Sequence, residues 1–185
     1  MNKKYLKILL ENYYLLALNN CKKDYSHIMI VESIKSIVGI NLNKSSSNLI
    51  LWLERYMDNL NNDTPEYVSR VLEIPEVISY KSLEQNIVDK ELNKACKSLY
   101  YLKSVSDGIQ IVEFLLELSL KYSPSIASVI WSIYRMEMFL SRKFLNKSLE
   151  VCVEAIINNM SNEVQLINKN VNWEDYLKSS NDKIF

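Results

Sequence analysis

Two glycines, Gly39 and Gly108, and three prolines are all that 185 residues offer for unusual backbone angles. Tight hairpin turns and phosphate-cradling loops need such residues at fixed places. Their scarcity, in a chain rich in Leu, Ile, Asn, Lys and Ser, predicts helices joined by short polar links. The expected fold is all-α: a single-domain bundle or orthogonal array of about seven to eight helices. It is expected to span residues 1–168, followed by a polar tail at 169–185 that can dock through Trp173, Tyr176 and Leu177.

Apolar residues recur at helical spacing along most of the chain. Tyr5, Leu6, Leu9, Leu10, Tyr13, Leu16 and Ala17 form the first such stripe, in a helix from about Asn2 to Leu18. A second helix starts near Ser26, with Ile30, Val31, Ile34, Ile37 and Val38 inward and Gly39 placed to end it by a left-handed cap. Ser46 or Ser47 can cap a third, which carries Leu49, Ile50, Trp52, Leu53, Tyr56, Met57 and Leu60. Thr64-Pro65 then restarts a short helix through about Leu72, and Ile74-Pro75 interrupts it. One long helix is expected from about Ser82 to Val105, with Leu83, Ile87, Leu92, Cys96, Leu99, Tyr100 and Leu102 as its core. Asp107-Gly108 closes it and opens the next, Ile109 to Tyr122. Ser123, as a cap followed by Pro124, opens a helix through about Phe139, and a last one runs from Lys147 to Ile167 with Leu149, Val153, Ile156, Ile157, Met160 and Val164 inward.

Composition excludes several chemistries. Lysines and arginines number 22 and so do the acids, so no global charge draws the chain to nucleic acid or to an anionic membrane. No run of about 18 apolar residues exists to span a bilayer. Lys3, Lys4 and Lys7 precede an apolar run as in a signal peptide, but Glu11 and Asn12 break it and Asn19-Asn20 are not the small residues of a cleavage site. Cys21, Cys96 and Cys152 are odd in number and widely spaced, which suits buried free thiols in a reducing compartment; a cytoplasmic location follows as the expectation.

A single histidine, His27, cannot complete a Cys/His metal cluster or both halves of a di-iron bundle. Glu113 and Glu117, one turn apart, then read as a solvated face, and Glu150 and Glu154 share that spacing. His27 itself stands near a helix start, where a surface or capping role is expected. Two glycines leave no Gly-x-Ser-x-Gly elbow and no glycine-rich phosphate loop. No catalytic residue, metal or cofactor is expected from these patterns.

The stretch around Trp131 is the candidate binding feature. Trp131, Tyr134, Arg135, Met138 and Arg142 fall at offsets of 3, 4, 7 and 11, which places them on one helix face. An arginine one turn from an indole can stack on it or grip a carboxylate, and these residue types dominate interface hot spots. The plainer reading is a core stripe whose arginines snorkel to the edge. Tyr13-Tyr14 and Tyr100-Tyr101 are adjacent pairs, so at least one of each is expected at a core boundary. Charge is locally uneven: residues 1–23 hold five lysines against Glu11 alone, while residues 65–91 hold six acids against Arg70, Lys81 and Lys90. The acidic block, with Glu66, Glu73 and Glu76, would steer a basic partner if it formed one exposed surface.

The run Ala95-Cys96-Lys97-Ser98-Leu99-Tyr100, continuing to Asp107-Gly108 and to Ser125-Ile126-Ala127-Ser128-Val129, resembles the central region of the YjaG-like helical bacterial family. Asn20-Cys21-Lys22 followed by Tyr25 is similar to that family's N-terminal half, and Lys94 stands where the family carries an acidic residue. The resemblance implies a cytosolic α-helical fold and carries over no activity.

Two functional classes follow. The first is a small, non-catalytic protein-binding module, an immunity or antitoxin-type partner or an adaptor, whose partner is another protein or a second copy of the chain. The second is a ligand-binding protein or enzyme with a pocket between helices, for which Tyr134, Arg135 and Glu137 are the side chains to test.

Overall fold

The computed structural model describes residues 3–21, 24–40, 47–60 and 79–160. Among these the chain forms eight α-helices and no strand. They are α1 (Lys3–Asn20), α2 (Ser26–Ile40), α3 (Ser47–Asp58), α4 (Tyr80–Val88), α5 (Leu92–Val105), α6 (Ile109–Tyr122), α7 (Ala127–Phe139) and α8 (Leu145–Asn159). The helix around Thr64-Pro65, the acidic Glu66, Glu73 and Glu76, the end of the last helix near Ile167 and the tail with Trp173 lie outside the described residues.

The last helix organises the core. Leu145, Ser148, Leu149, Val151, Cys152, Val153, Ala155 and Ile156 of α8 are all buried, too wide an apolar surface for a helix with one free side. Accordingly α8 packs on α1, α4, α5, α6 and α7. Helix α7 fills the space between α2 and α6, and α1 lies on α2. Helices α2 and α7 run in the same direction, since Ser128 meets Met29 near their starts and Phe139 meets Lys35 further along.

Four residues expected inward are exposed. In α1 the centre of the core face is Tyr14, with Leu10, Ala17 and Leu18, whereas Tyr5 is exposed. In α2 the buried apolar residues are Ile28, Val31, Ile34 and Val38, whereas Ile30 is half-buried and Ile37 is exposed. In α3 only Ile50, Leu53 and Met57 are buried, and Leu49 and Trp52 face outward.

The expected long helix over 82–105 is two helices, and the break has a definite geometry. Lys90 takes a left-handed φ of 57°. Its N–H donates to the Ile87 carbonyl at 3.0 Å while the Glu91 N–H reaches back to Asn86 at 2.9 Å. These are the two closures of a Schellman motif, with lysine at the position that glycine usually fills. Conversely, Gly39 does not terminate α2, which continues through it to Ile40 without any positive-φ glycine. Ser123 also departs from expectation: it makes no side-chain cap, because its buried hydroxyl donates to the Ile156 carbonyl of α8 at 3.0 Å.

Candidate partner-binding face and a buried polar chain

Helix α7 is divided by its own periodicity. Val129, Ile130, Ile133, Met136 and Glu137 turn inward, while Trp131 and Met138 stand about half exposed, at 48% and 50%. Trp131 and Tyr134, three residues apart, stack with ring centroids 5.4 Å apart and planes 12° from parallel. Tyr134 packs partly against the core, and Phe139 extends the exposed apolar strip at the helix end. The plainer reading of these residues as a core stripe therefore does not describe Trp131 or Met138.

Arg135 lies on the same face but does not cover the indole. Its Nε pairs with Glu32 Oε1 of α2 at 3.1 Å and its Nη2 donates to Ser36 Oγ at 3.1 Å. Ser36 in turn donates to the same Glu32 oxygen at 2.7 Å, and Lys35 Nζ sits 3.3 Å from it. Lys35 also lies over the Phe139 ring, 5.6 Å from its centroid. Burial lowers the Lys35 ammonium below the usual lysine range, opposed by the attraction of Glu32. Two cations thus share one nearly buried carboxylate, leaving one formal positive charge beside the stacked rings.

Arg142 is the member of the set that the structure separates from the others. Helix α7 ends at Phe139, and Ser141 and Arg142 take left-handed φ values of 57° and 66°. The Arg142 N–H closes the helix end on the Glu137 carbonyl at 2.8 Å. Its guanidinium pairs with Asp107 at the α5–α6 turn. A helical face extrapolated to offset 11 fails here because the chain leaves the helix three residues earlier.

Tyr134, Arg135 and Glu137 do not converge on one pocket. Two residues of α-helix turn the side chain by about 200°, so Arg135 points outward and Glu137 into the core. Glu137 instead belongs to a buried chain of hydroxyls. Ser148 Oγ donates to Glu137 Oε1 at 2.5 Å, and the Tyr14 hydroxyl lies 2.8 Å from the same Ser148 Oγ. All three residues are fully buried, at 0% exposure, and Glu137 Oε2 has no hydrogen-bond partner among the described residues.

Burial pushes the Glu137 carboxyl above the usual glutamate range, opposed by the Ser148 hydroxyl and the Phe144 backbone N–H. Burial likewise raises the Tyr14 hydroxyl and the Cys152 thiol, with Glu137 the next contributor to each. A polar residue at a core register was the available signal: Glu137 follows Ile133 by four residues and Ile130 by seven, and both isoleucines are buried.

The remaining candidates have structural surroundings. His27 Nδ1 lies 2.7 Å from the Tyr56 hydroxyl and joins α2 to α3, beside a Trp52–Tyr56 stack. Cys21, Cys96 and Cys152 are all buried. Glu113 and Glu117 are exposed on α6, and Tyr100 donates to Glu150. Among the described residues no three His, Cys, Asp or Glu side chains gather as a metal site, and no helix is long and apolar enough to cross a membrane. No family model matches the chain, and neither a curated protein nor a solved structure matches it.

Proposed function

We propose that this chain is a non-catalytic protein-binding module, of the immunity, antitoxin or adaptor kind, that meets its partner through the outward face of α7. The observation that carries this reading is the half-exposed Trp131–Tyr134 stack beside Arg135. Aromatic residues and arginine supply most hot-spot energy when a partner excludes water from them. Here the stack fixes the indole, and Glu32 and Ser36 fix the guanidinium, so little side-chain freedom remains to be lost on association. The matching partner surface offers an apolar pocket for Trp131 and Met138 and a carboxylate facing the surplus charge of Lys35 and Arg135. Three buried thiols suit a reducing cytoplasm.

The test is site-specific photo-crosslinking from position 131 in extract of the native host, compared with capture by Trp131→Ala/Met138→Ala. One protein crosslinked at 131 and retained by the unaltered chain, but lost from a folded double variant, supports the reading. Equal retention by the double variant overturns it.

A further inference from the structure

We propose that Tyr14, Ser148 and Glu137 form a proton-dependent latch, which holds α1 against the α7–α8 corner while Glu137 is a neutral acid and loosens that corner when the proton leaves to solvent. The proposal stands on the geometry of the buried chain and is independent of the α7 binding face. Three helices meet in it: Tyr14 from α1, Glu137 from α7 and Ser148 from α8. The Glu137 backbone also closes the corner, since its carbonyl accepts the Arg142 N–H at 2.8 Å. Phe144 of the same corner packs at a tilt on the Tyr14 ring, 6.1 Å between centroids.

Among the described residues no cation contacts the Glu137 carboxyl. Lys103 of α5 adds a weak long-range attraction, and its ammonium donates to Asn146. Helix α8 contributes Ser148 and the Cys152 thiol, with Cys21 beyond it; Glu150 of the same helix accepts from Tyr100. On α2, Glu32 and Lys35 are turned to Arg135. On α6, Glu113 and Glu117 are exposed. At the corner, Arg142 pairs with Asp107 and Lys143 with Glu11.

An ionised Glu137 would therefore be a buried charge with neutral donors only, the Ser148 and Tyr14 hydroxyls and the Phe144 N–H, and no cation in contact, which costs several kcal/mol. A neutral acid with one unmatched polar atom costs only about 1–3 kcal/mol. The difference favours the protonated form in the closed fold and supplies the drive to open once it is ionised.

The sign follows from linkage. A folded carboxyl that titrates above its unfolded value of about 4.3 binds more protons when folded. Its contribution is fully present below that value and is lost as pH rises through the folded pKa. Each unit of separation multiplies the unfolding constant about tenfold once pH exceeds both values.

The experiment compares the unaltered chain with Glu137→Gln between about pH 4.5 and 9, reading urea unfolding and amide exchange at residues 142–148. Every other carboxyl is common to both, so the difference in slope isolates Glu137. The unaltered chain should lose stability relative to the glutamine variant as pH rises, and its corner amides should lose protection in step. Parallel slopes overturn the latch, whatever the absolute stabilities. If the variant does not fold, carbon-13 carboxyl titration of glutamate-labelled unaltered protein decides: one glutamate titrating above the ordinary range, with corner amide shifts following it, is expected. Ordinary titration of every glutamate overturns the proposal.

Discussion

Ser123 donates its buried hydroxyl to the Ile156 carbonyl, 3.0 Å away, so a residue from the α6–α7 corner closes the last turn of α8. The last four carbonyls of a helix have no partner within it, and Ile156 is among those of α8. Ser123→Ala removes the donor and leaves that oxygen unmatched in the core. It should lower stability by about 1–3 kcal/mol, read from urea unfolding. A loss below about 0.5 kcal/mol, the size of an indifferent surface change, would contradict the assignment.

Lys90 is the residue at which glycine should be an improvement. A side chain in the left-handed region costs roughly 1–2 kcal/mol, while glycine gives back part of that through a freer unfolded chain. Lys90→Gly should therefore raise the thermal midpoint, with a net gain of about 1 kcal/mol or less. A lowered midpoint would mean that the lysine makes an offsetting contribution of its own.

Gly39 presents the opposite case. It sits within α2, its φ is not in the left-handed region, and an added Cβ meets nothing within 4 Å among the described residues. Alanine there should stabilise by roughly 0.5–1 kcal/mol. At Gly108 the same change brings Cβ within 2.5 Å of the Leu145 side chain, so Gly108→Ala should gain nothing until Leu145 shifts. Matched calorimetric scans of the two variants test both statements, and equal gains would refute the contrast.

Much of this architecture is legible in the apolar spacing, because 3.6-residue periodicity is a local property that burial then obeys. The stripe from Ile130 through Ile133 to Met136 is an example. What escapes are helix ends written without glycine. Lys90, Ser141 and Arg142 adopt left-handed angles because packing on either side dictates where the chain must turn, and nothing in those residue types announces it. The same blindness put Arg142 on a face it leaves. In the candidate site, Trp131, Tyr134, Arg135 and Met138 were readable as one surface. The occupation of Arg135 by Glu32 was not, since it joins residues about a hundred positions apart.

Acid should expose the contribution of Glu84. Its Oε1 accepts from Lys121 at 2.8 Å and from the Tyr122 hydroxyl at 2.7 Å. Those bonds hold the carboxyl below the usual glutamate range. The folded state thus binds fewer protons than the unfolded one, and the contribution is present above an unfolded value of about 4.3 and lost as pH falls through the folded one. Glu84→Gln should be less stable than the unaltered chain near neutral pH, with the gap closing in acid. A gap independent of pH would show that the ion pair adds nothing.

The Tyr14–Ser148 bond joins positions 134 residues apart, and that separation imposes an order on biosynthesis. At ordinary elongation rates the serine is made roughly 7 to 27 s after the tyrosine. Throughout that interval the first helix has α2 as a neighbour but lacks the partner that fixes its register against the rest of the core. Assembly is thereby certified late: a nascent chain halted before the eighth helix would hold Tyr14 without its Ser148 partner, a difference that separates unfinished molecules from complete ones.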